Sequence, residues 1–171
     1  VKTILSEDQV EGLDRFRRLR ERGRCGWVDR NVFAARIDLA ALMRETASSV
    51  VGQPNVDRVL DEYERLVTPL MIALNTAVLQ QQDKLTQIVV ARRMSVDGVV
   101  YVPGTPESLE HDRAGRTKME SLLGESAELQ NEIANLNQAY VDRLVTTMDD
   151  PEVAKPFVAE YQRRAFPRLY P

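Results

Sequence analysis

Apolar residues recur at intervals of three and four along most of this chain, the spacing that lines one face of an α-helix. The longest run begins at an Asn55 cap and continues over 56–93. Its seam holds Val56, Val59, Leu60, Tyr63, Leu66, Val67, Leu70, Leu74, Ala77, Val78, Leu85 and Ile88. At 1.5 Å per residue such a helix reaches roughly 55–60 Å. Pro69 removes one backbone donor from its middle and predicts a kink between Arg65 and Thr68. The alternative is a true break there, and the unbroken seam across the proline favours the kink. A second seam comprises Met119, Leu122, Leu129, Ile133, Leu136, Tyr140, Leu144 and Met148, in a helix over 106–148 with Pro106 at its first position. Two long seams of matching length with a short connection predict an antiparallel helical hairpin.

Shorter segments read as partners of that hairpin. Ser6-Glu7-Asp8-Gln9 has the form of a capping box, with Leu5 able to staple over Val10, and opens a helix over 7–22. Val10, Leu13, Phe16 and Leu19 form its expected inner face, and Gly23 and Gly26 bracket its end. Asp29 caps a helix over 30–47 that turns Val32, Phe33, Ile37, Ala40 and Met43 inward. Arg36 falls on that same face, its stem along the apolar surface and its head in water. Asp97-Gly98 and Val99 to Val102 predict an extended hairpin tip over 95–105, where Tyr101 and the valines either pack on the bundle or meet a partner. Asp150 and Pro151 start a last helix over 151–165, faced by Val153, Ala154, Phe157, Val158 and Tyr161, with Phe166 and Tyr170 lying back over the bundle. The prediction is a single all-α domain over 1–171: an elongated bundle of about five helices built on the long hairpin.

Composition agrees with that fold and narrows the chemistry. The 171 residues are 43% hydrophobic and 29% charged, with few aromatics and glycines. A net charge of -3 gives no overall pull toward nucleic acid. Cys25 is the only cysteine, which excludes an intrachain disulfide and a cysteine-built zinc site. Following several arginines, it reads as a half-buried thiol rather than a nucleophile, since no histidine stands near it. No apolar run reaches the roughly 20 residues of a membrane span. The chain opens on Val1, so whether a signal peptide or anchor precedes it stays open.

Candidate functional groups are few. Arg15, Arg17, Arg18, Arg20, Arg22 and Arg24 crowd the first helix, as a patch for phosphate or an acidic client or as a solvated face partly neutralised by Asp14 and Glu21. His111 is the only histidine; with Glu107, Glu110 and Asp112 it makes a solvated helix start rather than a metal site. No phosphate loop, nucleophile elbow or histidine pair at helical spacing is present. The chain therefore reads as a non-enzyme without metal or cofactor. A buried Gln81 would fix helix register.

Leu5-Ser6-Glu7-Asp8-Gln9 resembles the Leu-Thr-x-x-Gln motif of the bacterial periplasmic Spy/CpxP-like family, with serine in place of threonine. Residues 66–85 look like the long helix of that family and residues 130–148 like its return. The resemblance implies a small all-helical, stress-linked chaperone or sensor, dimeric and cradle-shaped, holding unfolded clients on a basic, partly apolar concave face. The Val99–Val102 insertion, the Phe166–Tyr170 tail and the lack of a second motif depart from the family pattern. With one histidine, metal sensing is not expected. The expected function is a periplasmic or otherwise extracytoplasmic chaperone-like role, exerted as a homodimer through the Arg15–Arg24 face. A cytoplasmic location stays open. The alternative is a structural or adaptor module docking a protein partner, with Tyr101 and its valines as the candidate contact; a nucleic-acid binder using the first helix comes third.

Overall fold

The computed structural model describes residues 6–25, 33–93 and 106–170. Leu5, Trp27, Asp29, Val32, the 95–105 tip and Tyr101 lie outside the described residues. The elements are α1 (Glu7–Arg24), a short 3-10 turn (Phe33–Arg36), α2 (Leu39–Thr46), a second 3-10 turn (Ser48–Val50), α3 (Pro54–Arg93), α4 (Pro106–Thr147) and α5 (Pro151–Ala165). The protein is all-α, with no strand among the described residues.

Helix boundaries follow local chemistry. The Ser6 hydroxyl accepts from the Gln9 amide and the Gln9 side chain accepts from the Ser6 amide, so the capping box is present. Asp150 caps α5 by accepting from Glu152 N at 2.9 Å, with Pro151 at the first position. α3 starts at Pro54, one residue ahead of the expected Asn55 cap. Gly52 precedes it at φ +98, in the left-handed region that glycine adopts without strain, and its amide donates to the Asp57 side chain. α3 then runs for 40 residues with Pro69 inside it and no break. The Thr68 hydroxyl donates to Glu64 O at 2.6 Å, engaging a carbonyl in the turn that Pro69 disturbs.

The expected helix over 30–47 differs most. It is a 3-10 turn and the eight-residue α2, separated at Ile37 and Asp38. Asp38 restarts the helix by accepting from Ala40 N and Ala41 N. The interruption frees backbone groups that two buried side chains take up. Asn137 of α4 donates through Nδ2 to Ala34 O (2.8 Å) and Ile37 O (2.9 Å). Tyr63 of α3 accepts from Leu39 N (3.2 Å) and donates to Asn137 Oδ1 (2.9 Å). Asn137 and Tyr63 are fully buried. Their network satisfies polar groups that would otherwise be stranded, and it fixes where the broken segment sits on α3 and α4.

The core gathers around this point. Val56, Leu60, Tyr63, Val67, Met71, Leu74 and Val78 of α3 are buried with Ile133, Tyr140, Val141 and Leu144 of α4. Leu39, Leu42 and Met43 of α2 join them, as do Phe157 and Tyr161 of α5. α3 makes its most extensive contact with α4, and α2 packs on α5. Gln81 is buried, as are Ser126 and Gln130 of α4. Leu66, expected on the seam, is instead 46% exposed. No described helix is long and apolar enough to cross a membrane.

Candidate functional site

α1 packs on α3, and the contact is built from charge. Its center is Arg22, whose side chain is 1% exposed. Nε donates to Asp38 Oδ2 at 2.9 Å, Nη1 to Thr68 Oγ1 at 3.1 Å and Nη2 to Glu64 Oε1 at 3.0 Å. The Glu64 side chain is also 1% exposed, and its second oxygen lies 3.5 Å from Arg15 Nε. Two guanidinium groups thus face two carboxylates. Arg18 pairs with Asp61, which also holds Arg65 at 2.7 Å. Burial alone lowers the Arg22 pKa, but Asp38 and then Glu64 more than offset this and raise it, so the side chain stays charged in its dry site.

The spacing explains the fit. Arg15, Arg18 and Arg22 advance by three and four residues along α1. Their partners Asp57, Asp61, Glu64 and Thr68 advance by four, three and four along α3. Glu11 adds a further pair with Arg65 at 3.5 Å, so the two charged stripes meet over several turns of each helix. Each stripe is legible in the sequence; pairing them requires knowing that α1 meets α3.

This corrects the expected orientation of α1. The face turned to α3 carries Arg15, Arg18 and Arg22, while Phe16 is 60% exposed and Leu19 40% exposed. Val10 and Leu13 are half-buried. A helix shows one face inward, and here three ion-paired arginines take the place that Phe16 and Leu19 were expected to fill. Arg17, Arg20 and Arg24 are exposed. Arg17 pairs with Asp14 at 3.5 Å, and Arg20 and Arg24 form no ion pair among the described residues. Gly12, Phe16, Leu19 and Gly23 fall at positions i, i+4, i+7 and i+11, on one outward stripe. A Cβ added at Gly12 or Gly23 would meet nothing within 4 Å.

Cys25 is buried, forms no disulfide and donates to Glu21 O at 3.4 Å. His111 lies in α4. Among the described residues no group of three or more His, Cys, Asp or Glu side chains is placed to hold a metal ion. The adjacent carboxylates Asp61 and Glu62 divide their partners: Asp61 serves α1 and Glu62 serves α4. Arg143 donates to both Glu62 oxygens (2.8 and 2.7 Å), and Tyr140 donates to Oε1 at 2.7 Å. Arg143 and then Tyr140 hold the Glu62 carboxyl down at about 2.

No protein-family model, curated protein or solved structure matches this chain.

Proposed function

We propose that this protein is a non-catalytic protein-binding module, chaperone-like in action, that meets its clients on the outward face of α1. One observation carries the reading. α1 is docked by its arginines, so its apolar residues Phe16 and Leu19 face solvent beside Arg20 and Arg24, which have no carboxylate partner among the described residues. Exposed apolar side chains flanked by unpaired cations suit a client segment that mixes apolar and acidic residues. Gly12 and Gly23 at the ends of that stripe leave room for a second backbone to approach closely. Of the six arginines, Arg15, Arg18 and Arg22 serve the fold in this reading, and Arg17, Arg20 and Arg24 serve the client.

The Spy/CpxP-like resemblance of Leu5–Gln9 supports an extracytoplasmic, stress-linked setting and a homodimer. An antiparallel α3–α4 hairpin belongs to the same reading. Tyr63 meets Asn137, which leaves arms of similar length on either side of the connection between the helices. The adaptor alternative uses the same α1 face for one specific partner.

Aggregation assays with several unrelated unfolding proteins test the reading. The intact protein is expected to suppress aggregation at near-equimolar ratio. Phe16→Ser with Leu19→Ser is expected to abolish suppression while leaving helicity intact and the unfolding free energy within about 0.5 kcal/mol, as for exposed sites. No suppression for any client, or undiminished suppression by the double variant, sinks the chaperone reading.

A further inference from the structure

A second surface, remote in sequence from α1, has its own chemistry. Between α4, α5 and the tail lies a pocket of about 400 Å³. Next to it lies a trough of about 500 Å³. The two hollows share Val145, Val158 and Gln162 as a common wall.

Their linings differ. The trough is walled mainly by aliphatic groups, among them Met148, Pro151 and Ala154. The pocket brings together three aromatic residues, Tyr161, Phe166 and Tyr170, with the carboxylate of Asp142. Tyr161 and Phe166 meet edge-on, with ring centroids 6.5 Å apart. Tyr170 is held near by a closing turn in which its amide donates to Phe166 O at 3.0 Å.

Two polar groups in the pocket stand out, a buried hydroxyl and a solvent-open carboxylate. The Tyr161 hydroxyl is buried and forms no hydrogen bond. A buried hydroxyl left without a partner is destabilising, which makes it a group with an unfilled role. Asp142 accepts only a 3.3 Å bond from the Gln138 amide and pairs with no cation among the described residues. The nearby cations are engaged elsewhere: Arg143 with Glu62, Arg163 and Arg164 with Glu160, and Lys155 with Glu152. Burial, and then the charge of Asp142, push the Tyr161 hydroxyl up to about 12, so it stays protonated with its oxygen lone pair able to accept.

Aromatic faces, a carboxylate and an accepting hydroxyl are together the complement of an ammonium group. The adjacent aliphatic trough, which shares Val145 and Val158 with the pocket, fits a hydrocarbon chain. We infer that the α4–α5 groove is a binding site for a small amphiphilic organic cation, with its ammonium between Asp142 and the Tyr161 hydroxyl and its alkyl chain along Val145, Val158 and Met148. The inference is independent of the α1 reading and stands or falls without it.

Calorimetric titration of the full chain with octylammonium, octanol and octanoate tests it. Octylammonium is expected to bind saturably at one site, with the neutral and anionic analogues at least about tenfold weaker, the scale of one cation–π and charge contact. Asp142→Asn, at an exposed position, is expected to weaken octylammonium by about tenfold while leaving octanol unchanged. Tyr161→Phe is expected to weaken octylammonium severalfold. Absence of saturable binding, equal affinity for octanol, or unchanged affinity in a folded Asp142→Asn variant overturns the inference. Should that variant fail to fold, as judged by circular dichroism, the comparison of octylammonium with octanol on the unaltered protein decides alone.

Discussion

Arg22 and Glu64 are charges held where almost no water reaches, and that has a defined energetic consequence. Removing one member of a buried pair leaves the other uncompensated, at a cost of about 3–5 kcal/mol, whereas replacing both with apolar groups is often near neutral. Glu64→Leu is therefore expected to lower stability by about that amount in denaturant unfolding, and Arg22→Met with Glu64→Leu to recover much of the loss. Equal destabilisation by the single and double variants would show that the pair does not act as a unit. Thr68 belongs to the same cluster. Its oxygen accepts from Arg22 while its hydrogen goes to Glu64 O, so one side chain joins the ion network to the backbone beside Pro69. Asn137 plays a comparable part without charge, filling all its hydrogen-bonding capacity but one acceptor site with Tyr63, Ala34 and Ile37.

At the level of elements, α1 is less stable than its sequence allows. Gly12 and Gly23 sit inside it with open space around them, and glycine in a helix interior costs roughly 0.5–1 kcal/mol relative to alanine. Gly12→Ala and Gly23→Ala are each expected to raise the unfolding free energy by about that amount. On the proposed function they would also weaken client suppression, because a methyl then stands where a second backbone approaches. A gain in stability with suppression intact would remove the glycines from the binding face. Much of this architecture was legible in the sequence. The α3 and α4 seams, the Ser6–Gln9 box and the Asp150-Pro151 start are local signals set by periodicity and capping, which need no knowledge of the fold. The α2 region was not legible, because the residue that stabilises its interruption, Asn137, lies about a hundred positions away. The orientation of α1 was not legible for a related reason. Hydrophobic spacing favored Phe16 and Leu19 as the inner face, and only the acidic stripe of α3 makes the arginine face the better one to bury. The pocket beside Tyr161 gave no sequence signal at all, since Asp142 and Tyr170 come together only after α5 folds back.

For the whole molecule, the charge networks set a direction of pH dependence. Arg143 and then Tyr140 hold Glu62 at about 2, and Arg163 and then Arg164 hold Glu160 at about 2, each below the ordinary 4.5. A carboxyl depressed in the folded state contributes stability above its unfolded pKa and loses it as pH falls through the folded value. The thermal midpoint is therefore expected to drop between about pH 4.5 and 2, with a shallower slope in Glu62→Gln with Glu160→Gln. Both groups are partly open to water and screened by salt, so the slope is modest and smaller at high ionic strength. An identical acid profile in the double variant would assign the loss to other carboxylates. The docking of α1 through charge has a consequence of another kind. A helix seated on oil cannot leave without exposing oil, and its release invites aggregation. Lifting α1 from α3 uncovers, beside the half-buried Val10 and Leu13, mainly Arg15, Arg18 and Arg22 on one side and Asp57, Asp61 and Glu64 on the other, two strips of opposite sign that water solvates readily. The first helix is thus tied to the rest by a contact that an outside strand of charge can compete for, and a strongly basic segment would be a rival for its seat on α3.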